Sequence, residues 1–373
     1  MSDRNNLPEH EKSSLSLPAI VAAAVFAVTA IAVVGFLLTS RSGDSEPQLD
    51  APDALDLAAP LYRDGSTEFR LHLIVDDVQK GENLFTVSFT QGGDALEPFD
   101  ADLEGVDLTL APLVDADGGK LLSLQPNAHS EFETETPVDL TDGWWEATVT
   151  LYRADDDPQS TVFYLLVPDP NLHDLEIVST DENNSAQAFF EAGLRQIEST
   201  HSIKYIERLT SGEGMVSISQ REVTDGNGGV PAARMVNAQF ELLTIGDRSF
   251  QRTPGRDWFE REFLPILPVS EWPMLYEGAT DFALGESVMV NDRATQIIMF
   301  HVPVSETFAP ATYAWWVDEE TGYVIREAMI STWHYMIYEF GEFNQPLQFE
   351  IPIAASTPQA SPAASPIGSP APG

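Results

Sequence analysis

The chain has 373 residues, 43% hydrophobic and 10% aromatic, which is material for more than one core. Its 19 basic and 59 acidic residues give a formal charge of -40. A surface of that sign repels nucleic acid, which is not an expected partner. Cysteine is absent, which excludes disulfides, thiolate metal sites, a cysteine nucleophile and a lipidated N-terminal cysteine.

Residues 1–16 are read as a cytoplasmic N-terminus. LPAIVAAAVFAVTAIAVVGFLL, Leu17 to Leu38, carries no charge over 22 residues. A helix needs about 20 apolar residues to cross a bilayer. A cleaved signal peptide has an apolar region of only about 7–15 residues ending in a small-x-small site, and no such triplet follows here. The segment is therefore read as an uncleaved transmembrane helix. The acidic, proline-punctuated bulk of the chain is expected outside the cytoplasm, on a single-pass protein of the cell membrane. Residues 39–64 are polar and acidic and read as a linker.

From residue 65 the pattern becomes period-two. FRLHLIV (Phe69–Val75), NLFTVSFT (Asn83–Thr90), VDLTLAPL (Val106–Leu113), WWEATVTLYR (Trp144–Arg153) and TVFYLLVP (Thr161–Pro168) alternate between turn clusters. Short strands at this spacing without a helix predict an antiparallel, immunoglobulin-like β-sandwich over 65–168. Trp145, Ala147, Val149 and Leu151 fall on one face of their strand and form the expected core stripe. The order of these strands, with Gly81 and Asn83 opening one and Gly143 and Trp144 another, resembles the YtkA/FixH-like domain. That domain also occurs at the end of bacterial copper-resistance membrane proteins, so the resemblance implies copper as an alternative cofactor, with no ligand motif to carry over.

Residues 169–184 read as a second linker. SAQAFFEAGLRQIEST (Ser185–Thr200) is predicted to be a helix, with Ser185 as N-cap and Phe189, Phe190, Leu194 and Ile197 as its apolar stripe. Strand-like runs follow, with a tight hairpin at DGNGG (Asp225–Gly229). WFEREFLPILPVSEWPML (Trp258–Leu275) is expected to form one or two short helices broken by Pro265, Pro268 and Pro273. The strand pair GESVMVNDRATQIIM, the hairpin WWVDEETGYVIRE and the closing Y-x-F-x-x-F-N-Q-P run resemble the LolA-like lipoprotein-carrier and LppX-type lipid-binding families. The resemblance covers 185–352 and implies a curved half-barrel closing over helices around an apolar cavity. A transmembrane anchor in place of a lipidated cysteine is a departure from those carriers, since an anchored carrier cannot shuttle. The Pro/Ala/Ser-rich tail, 353–373, is expected to be disordered. The fold class read from the sequence is thus mainly β with some α: a transmembrane helix, a β-sandwich and a LolA-like half-barrel.

No hydrolase elbow, zinc-protease, P-loop or dinucleotide motif occurs, and no two histidines have the spacing of paired metal ligands, so the chain is read as not an enzyme. DADGG (Asp115–Gly119) lacks the later glutamate of a calcium loop and reads as a turn, as do Asp155–Asp157. Successive side chains of a strand alternate, so Trp315 and Trp316 must face opposite sides. The expected cavity residues are Trp315, Trp316, Trp333, Tyr335, Met299, Trp258 and Trp272, set among many aromatics with few polar anchors. Met329, His334 and Met336 offer thioether and imidazole groups suited to Cu(I), with His72 and His129 as further candidates. The leading reading is a non-enzymatic envelope protein whose half-barrel holds a lipid, acyl chain or lipoprotein. A copper-homeostasis accessory and a sensor or scaffold binding another envelope protein are the alternatives.

Overall fold

The computed structural model describes residues 54–63, 66–91, 103–114, 118–127, 131–154, 156–173, 184–305 and 308–353. Leu17–Leu38, most of DADGG, Asp155, His129 and the tail beyond residue 353 lie outside the described residues. Among the described residues no helix is long and apolar enough to cross a membrane.

The first unit is built from strands β1 (Ala54–Arg63), β2 (Ser66–Asp76), β3 (Gly81–Asn83), β4 (Phe85–Gln91), β5 (Gly105–Pro112), β6 (Lys120–Pro126), β7 (Phe132–Glu133), β8 (Val138–Leu140), β9 (Gly143–Tyr152) and β10 (Gln159–Val167). They order as β1-β2-β4-β7-β6-β5-β9-β10, with β3 and β8 pairing separately. On β2 the odd positions Phe69, Leu71, Leu73 and Val75 are all fully buried, as strand alternation requires. The expected stripe Trp145, Ala147, Val149 and Leu151 is likewise in the core. One correction concerns the segment read as linker. Ala54–Arg63 is a strand, paired along β2 with Leu55, Leu57, Ala58 and Ala59 buried.

The second unit opens with helix α1 (Ser185–Glu198). Its N-cap is Asn184 in the left-handed region, with no side-chain cap bond, rather than Ser185. Then come β11 (Ser202–Thr210), β12 (Val216–Asn227), β13 (Val230–Val236), β14 (Glu241–Ile245), β15 (Arg248–Arg252), β16 (Phe259–Arg261), a 3-10 helix (Val269–Tyr276), β17 (Thr280–Val290), β18 (Arg293–Val302), β19 (Ala311–Asp318), β20 (Val324–Ser331) and β21 (His334–Gly341). The strands form one antiparallel sheet, β16-β15-β14-β13-β12-β11-β21-β20-β19-β18-β17. The DGNGG hairpin is present, with Asn227 opposite Val230 and both Gly228 and Gly229 at positive φ. The Pro-broken insertion differs from expectation: its first part is the short strand β16, and only the second part is helical, as 3-10. Pro265, Pro268 and Pro273 supply no amide donor, which removes the ladder an α-helix needs.

The two units share one core. Trp316, Met299, Ala314, Ala328, Ile330 and Tyr335 of the half-barrel belong to the same buried cluster as the sandwich residues. Trp316 packs on Tyr164 of β10 at 4.9 Å between ring centroids. Arg326 donates to the Tyr164 hydroxyl (3.1 Å), which donates to Glu146 (3.2 Å). Arg208 on β11 donates to Thr161 (3.2 Å) and to the Val162 carbonyl, and burial lowers its pKa to about 10. The turn after β11 clips onto β1: Asp56 N–H donates to Gly212 O and Gly214 N–H to Asp56 O, at 3.0 and 2.8 Å. The start of the expected second linker is part of this joint. Asp169 is fully buried and accepts from the Tyr335 hydroxyl at 2.8 Å.

Candidate functional site

The face of the sheet turned away from the sandwich carries α1 at one end and a cavity at the other. Cross-strand register puts Trp315 (β19) opposite Glu327 (β20), Glu327 opposite Tyr338 (β21), and Tyr338 opposite Glu207 (β11). A second row sets Phe340, Tyr205, Arg221 and Met235 side by side across β21, β11, β12 and β13. Residues of both rows, with Val223, Ala233 and Leu242, wall a cavity of ≈190 Å³. Its roof is the segment Leu264–Leu267 with Trp272, Leu275 and Tyr276. Few bonds hold the roof: Leu264 N–H donates to Ser249 Oγ (2.8 Å), Val269 N–H to Asp225 Oδ1 (2.8 Å) and Ser270 N–H to Asp225 Oδ2 (3.3 Å). Trp272 also packs edge-on to Tyr205 at 5.7 Å. A second space of ≈360 Å³ lies between α1 and the 3-10 helix, but it is an open groove bordered by the exposed Gln187, Glu191 and Glu277.

The cavity is apolar except for one polar belt. Arg221 and Glu207 form an ion pair at 2.6 Å, with side chains 15% and 8% exposed. Burial alone would lower the Arg221 guanidinium, but Glu207 and the phenols of Tyr205 and Tyr338 outweigh it and hold the pKa above its ordinary value. Arg221 Nε is buried with no hydrogen-bond partner among the described residues. Glu327, 4% exposed, accepts from Tyr276 Oη (2.9 Å) and Trp315 Nε1 (2.6 Å). Burial raises its pKa to about 7 against the opposing pull of those two donors. Both donors reach the same oxygen, Oε2, so the proton of the neutral acid sits on Oε1. Burial likewise raises the Tyr276 and Tyr338 hydroxyls, which stay neutral donors.

Of the expected cavity residues only Trp272 lines this space. Trp315 is fully buried beneath α1, stacked on Phe190 at 5.3 Å, and touches the cavity only through its bond to Glu327. Trp316, Met299 and Tyr335 are on the sandwich side of the sheet. Trp333 is in the β20–β21 turn at positive φ, its amide bonded to Asn171 Oδ1 at 2.8 Å. Trp258 packs with Leu243 and Phe349 and takes Arg252 over its ring at 4.6 Å. The expectation that one tryptophan of the pair would line an open interior is therefore corrected: helix covers one and sandwich the other. Met329 and Met336 are direct cross-strand partners, while His334 Nδ1 donates to its neighbour Thr332 O at 2.7 Å. His72 is 3% exposed between Asp56 (2.9 Å) and Thr90 (2.8 Å). Among the described residues no three His, Asp or Glu side chains gather as a metal site would require. The polar residues that sequence reading missed are Glu207, Arg221 and Glu327. The available signal was parity: Tyr205 and Glu207 share one face of SIKYIERL, and Glu327 faces Trp315.

No family model and no curated protein matches this chain. Among solved structures, the lipoprotein LppX of Mycobacterium tuberculosis is 14% identical, covering 44% of this chain and 98% of LppX at a TM-score of 0.35. LprF from Mycobacterium bovis is 10% identical, covering 46% of this chain and 98% of LprF at a TM-score of 0.39. A LolA superfamily protein from Nitrosomonas europaea is 8% identical, covering 45% of this chain and 94% of its own length at a TM-score of 0.21.

Proposed function

We propose that this chain is a non-enzymatic binding protein held at the cell membrane by Leu17–Leu38, whose half-barrel takes the apolar part of a lipid, acyl chain or lipoprotein. The observation that carries this reading is the enclosed cavity: apolar side chains from β11 through β14 and from β21 lie beneath a proline-broken roof with few hydrogen bonds to the sheet. Burial would drive binding. At ~25 cal/mol per Å², covering ~300 Å² of acyl surface contributes roughly 7 kcal/mol before ordering costs. The space of ≈190 Å³ is under the ~300 Å³ at the lower end of small-molecule pockets. It receives the end of one chain with the roof down, and a longer tail only as the roof lifts.

The test is native mass spectrometry of the full chain released from lipid nanodiscs. A retained mass of several hundred daltons, lost on organic extraction and lost again in a Met235→Trp variant that fills the cavity, is the expected result. A bare chain that retains no lipid, yet captures an envelope protein, would replace this reading with that of a scaffold.

A further inference from the structure

We propose that the cavity selects an uncharged amphiphile, one whose ester carbonyl or hydroxyl meets Arg221 and Glu327, and rejects the fatty-acid anion and the alkylammonium of the same tail. The inference rests on the ligand-binding reading above and narrows its substrate class.

The first argument is an unmet donor. Arg221 spends Nη2 on Glu207, and its Nε–H is buried with no partner among the described residues. A buried N–H without an acceptor is costly, so the site favours a ligand that brings an oxygen lone pair. An ammonium group brings none, and it would set a second positive charge beside the guanidinium.

The second argument is charge balance. Glu207 already neutralises Arg221 at 2.6 Å. Burial holds Glu327 neutral up to about pH 7. The other groups facing it are uncharged: Tyr276 from the roof, Trp315 and Tyr313 from β19, Tyr338 from β21 and Tyr205 from β11. The belt is thus electrically complete. A carboxylate ligand would add an uncompensated buried negative charge next to Glu207, which low-dielectric surroundings penalise. An ester or hydroxyl adds none. It can accept from Arg221 Nε while a ligand hydroxyl exchanges a hydrogen bond with the Glu327 acid.

The third argument is shape. The remaining wall, Val223, Met235, Leu242, Leu264 and Ile266, is apolar and suits a tail, and the volume suits a single short one. A mono-acylated glycerol has this combination of one tail, one ester and free hydroxyls.

The experiment uses the full chain in nanodiscs and three probes with the same ten-carbon, diazirine-ended tail: a monoacylglycerol, a fatty acid and a primary amine. After irradiation at pH 8, labelled peptides are mapped by mass spectrometry. The acylglycerol should label the 264–276 roof at least ten-fold more than the acid or the amine, while all three label Leu17–Leu38 alike. At pH 5, where part of the acid is uncharged, its roof labelling should rise several-fold. The paired change Glu207→Gln with Arg221→Met, which keeps the charge balanced and removes the donor, should reduce the preference below three-fold. The comparison among probes on the unaltered chain stands even if that variant misfolds. Equal roof labelling by all three probes would overturn the selectivity and leave the ligand-binding reading intact. Preference for the acid or the amine would also overturn it. A roof labelled by none would sink both.

Discussion

Replacing Glu327 with glutamine should stabilise the protein at alkaline pH and leave it nearly unchanged in mild acid. The carboxyl is raised from an ordinary 4.5 to about 7 by burial. A displacement of that size corresponds to about 3 kcal/mol between the two protonation states. The folded state holds the proton more tightly than the unfolded state, so this group's contribution to stability is complete below about pH 4.5. It is lost as pH rises through 7 and is gone by about pH 8. The amide introduced by Glu327→Gln would stay neutral throughout, and its oxygen can accept the same bonds from Tyr276 and Trp315. Urea unfolding followed by tryptophan fluorescence at pH 5, 6, 7 and 8 measures the difference. The two proteins should agree within about 1 kcal/mol at pH 5, and the variant should lead by about 1–3 kcal/mol at pH 8. Asp169, raised by burial, and His301, lowered by burial, titrate alike in both proteins and cancel in the comparison. Parallel pH curves, or a variant weaker than the parent at pH 8, would refute the account of Glu327 as a buried acid.

Gly193 faces Trp315 from α1, and a Cβ there would come within 3.1 Å of the indole and 3.2 Å of Val324. Gly193→Leu should therefore cost about 1–3 kcal/mol in spite of its better helix propensity, read as a fall in Tm. At Gly285 a Cβ would come 2.6 Å from the Leu113 carbonyl of the sandwich, a backbone atom that cannot rotate away. Gly285→Ala should lower the unfolding midpoint of both units together by about 1–3 kcal/mol; a shift confined to one transition would mean that they do not unfold as one. Trp316→Ala removes the ring packed on Tyr164, with an expected loss of about 3–5 kcal/mol by urea unfolding and new proteolytic cleavage near residue 168.

Much of the local structure can be read from alternation alone. GWWEATVTLY shows its inward stripe, and DGNGG shows its hairpin, because a strand's two faces and a left-handed turn each demand particular residues. Alternation also requires Trp315 and Trp316 to part company. It does not say what covers each face, which depends on segments over a hundred residues away: Phe190 for one and Tyr164 for the other. That is why bulk on both faces suggested an open wall where the protein has two packed ones. β1 was hidden because DALDLAAPLYR is acidic and proline-bearing, yet its edge pairs with β2 and with the turn at Gly212–Gly214. The polar belt was hidden by the sheer number of acids. Among 59 of them, only register distinguishes Glu207 and Glu327 from solvated neighbours.

The sandwich also determines which part of the half-barrel can yield to a ligand. Trp316, Arg326 and Arg208 tie β19, β20 and β11 to β10, and Trp315, between Phe190 and Glu327, locks the opposite face of β19. Strands clamped from both sides cannot move without breaking a shared core. The roof has no such clamp: Asp225, Ser249 and Glu327 each hold it by side-chain bonds, and its prolines leave gaps in the backbone ladder. Opening should therefore occur by roof displacement at a free-energy cost well below that of global unfolding. Native-state hydrogen exchange resolves this directly. Amides of Ala311–Asp318 and Val324–Ser331 should exchange only through global unfolding, with rates that follow the urea midpoint. Those of 264–276 should exchange orders of magnitude faster and be slowed by a bound acylglycerol. A roof as protected as β19 would mean that no ligand longer than the present space can enter, and the carrier reading would then shrink to the recognition of a single short tail.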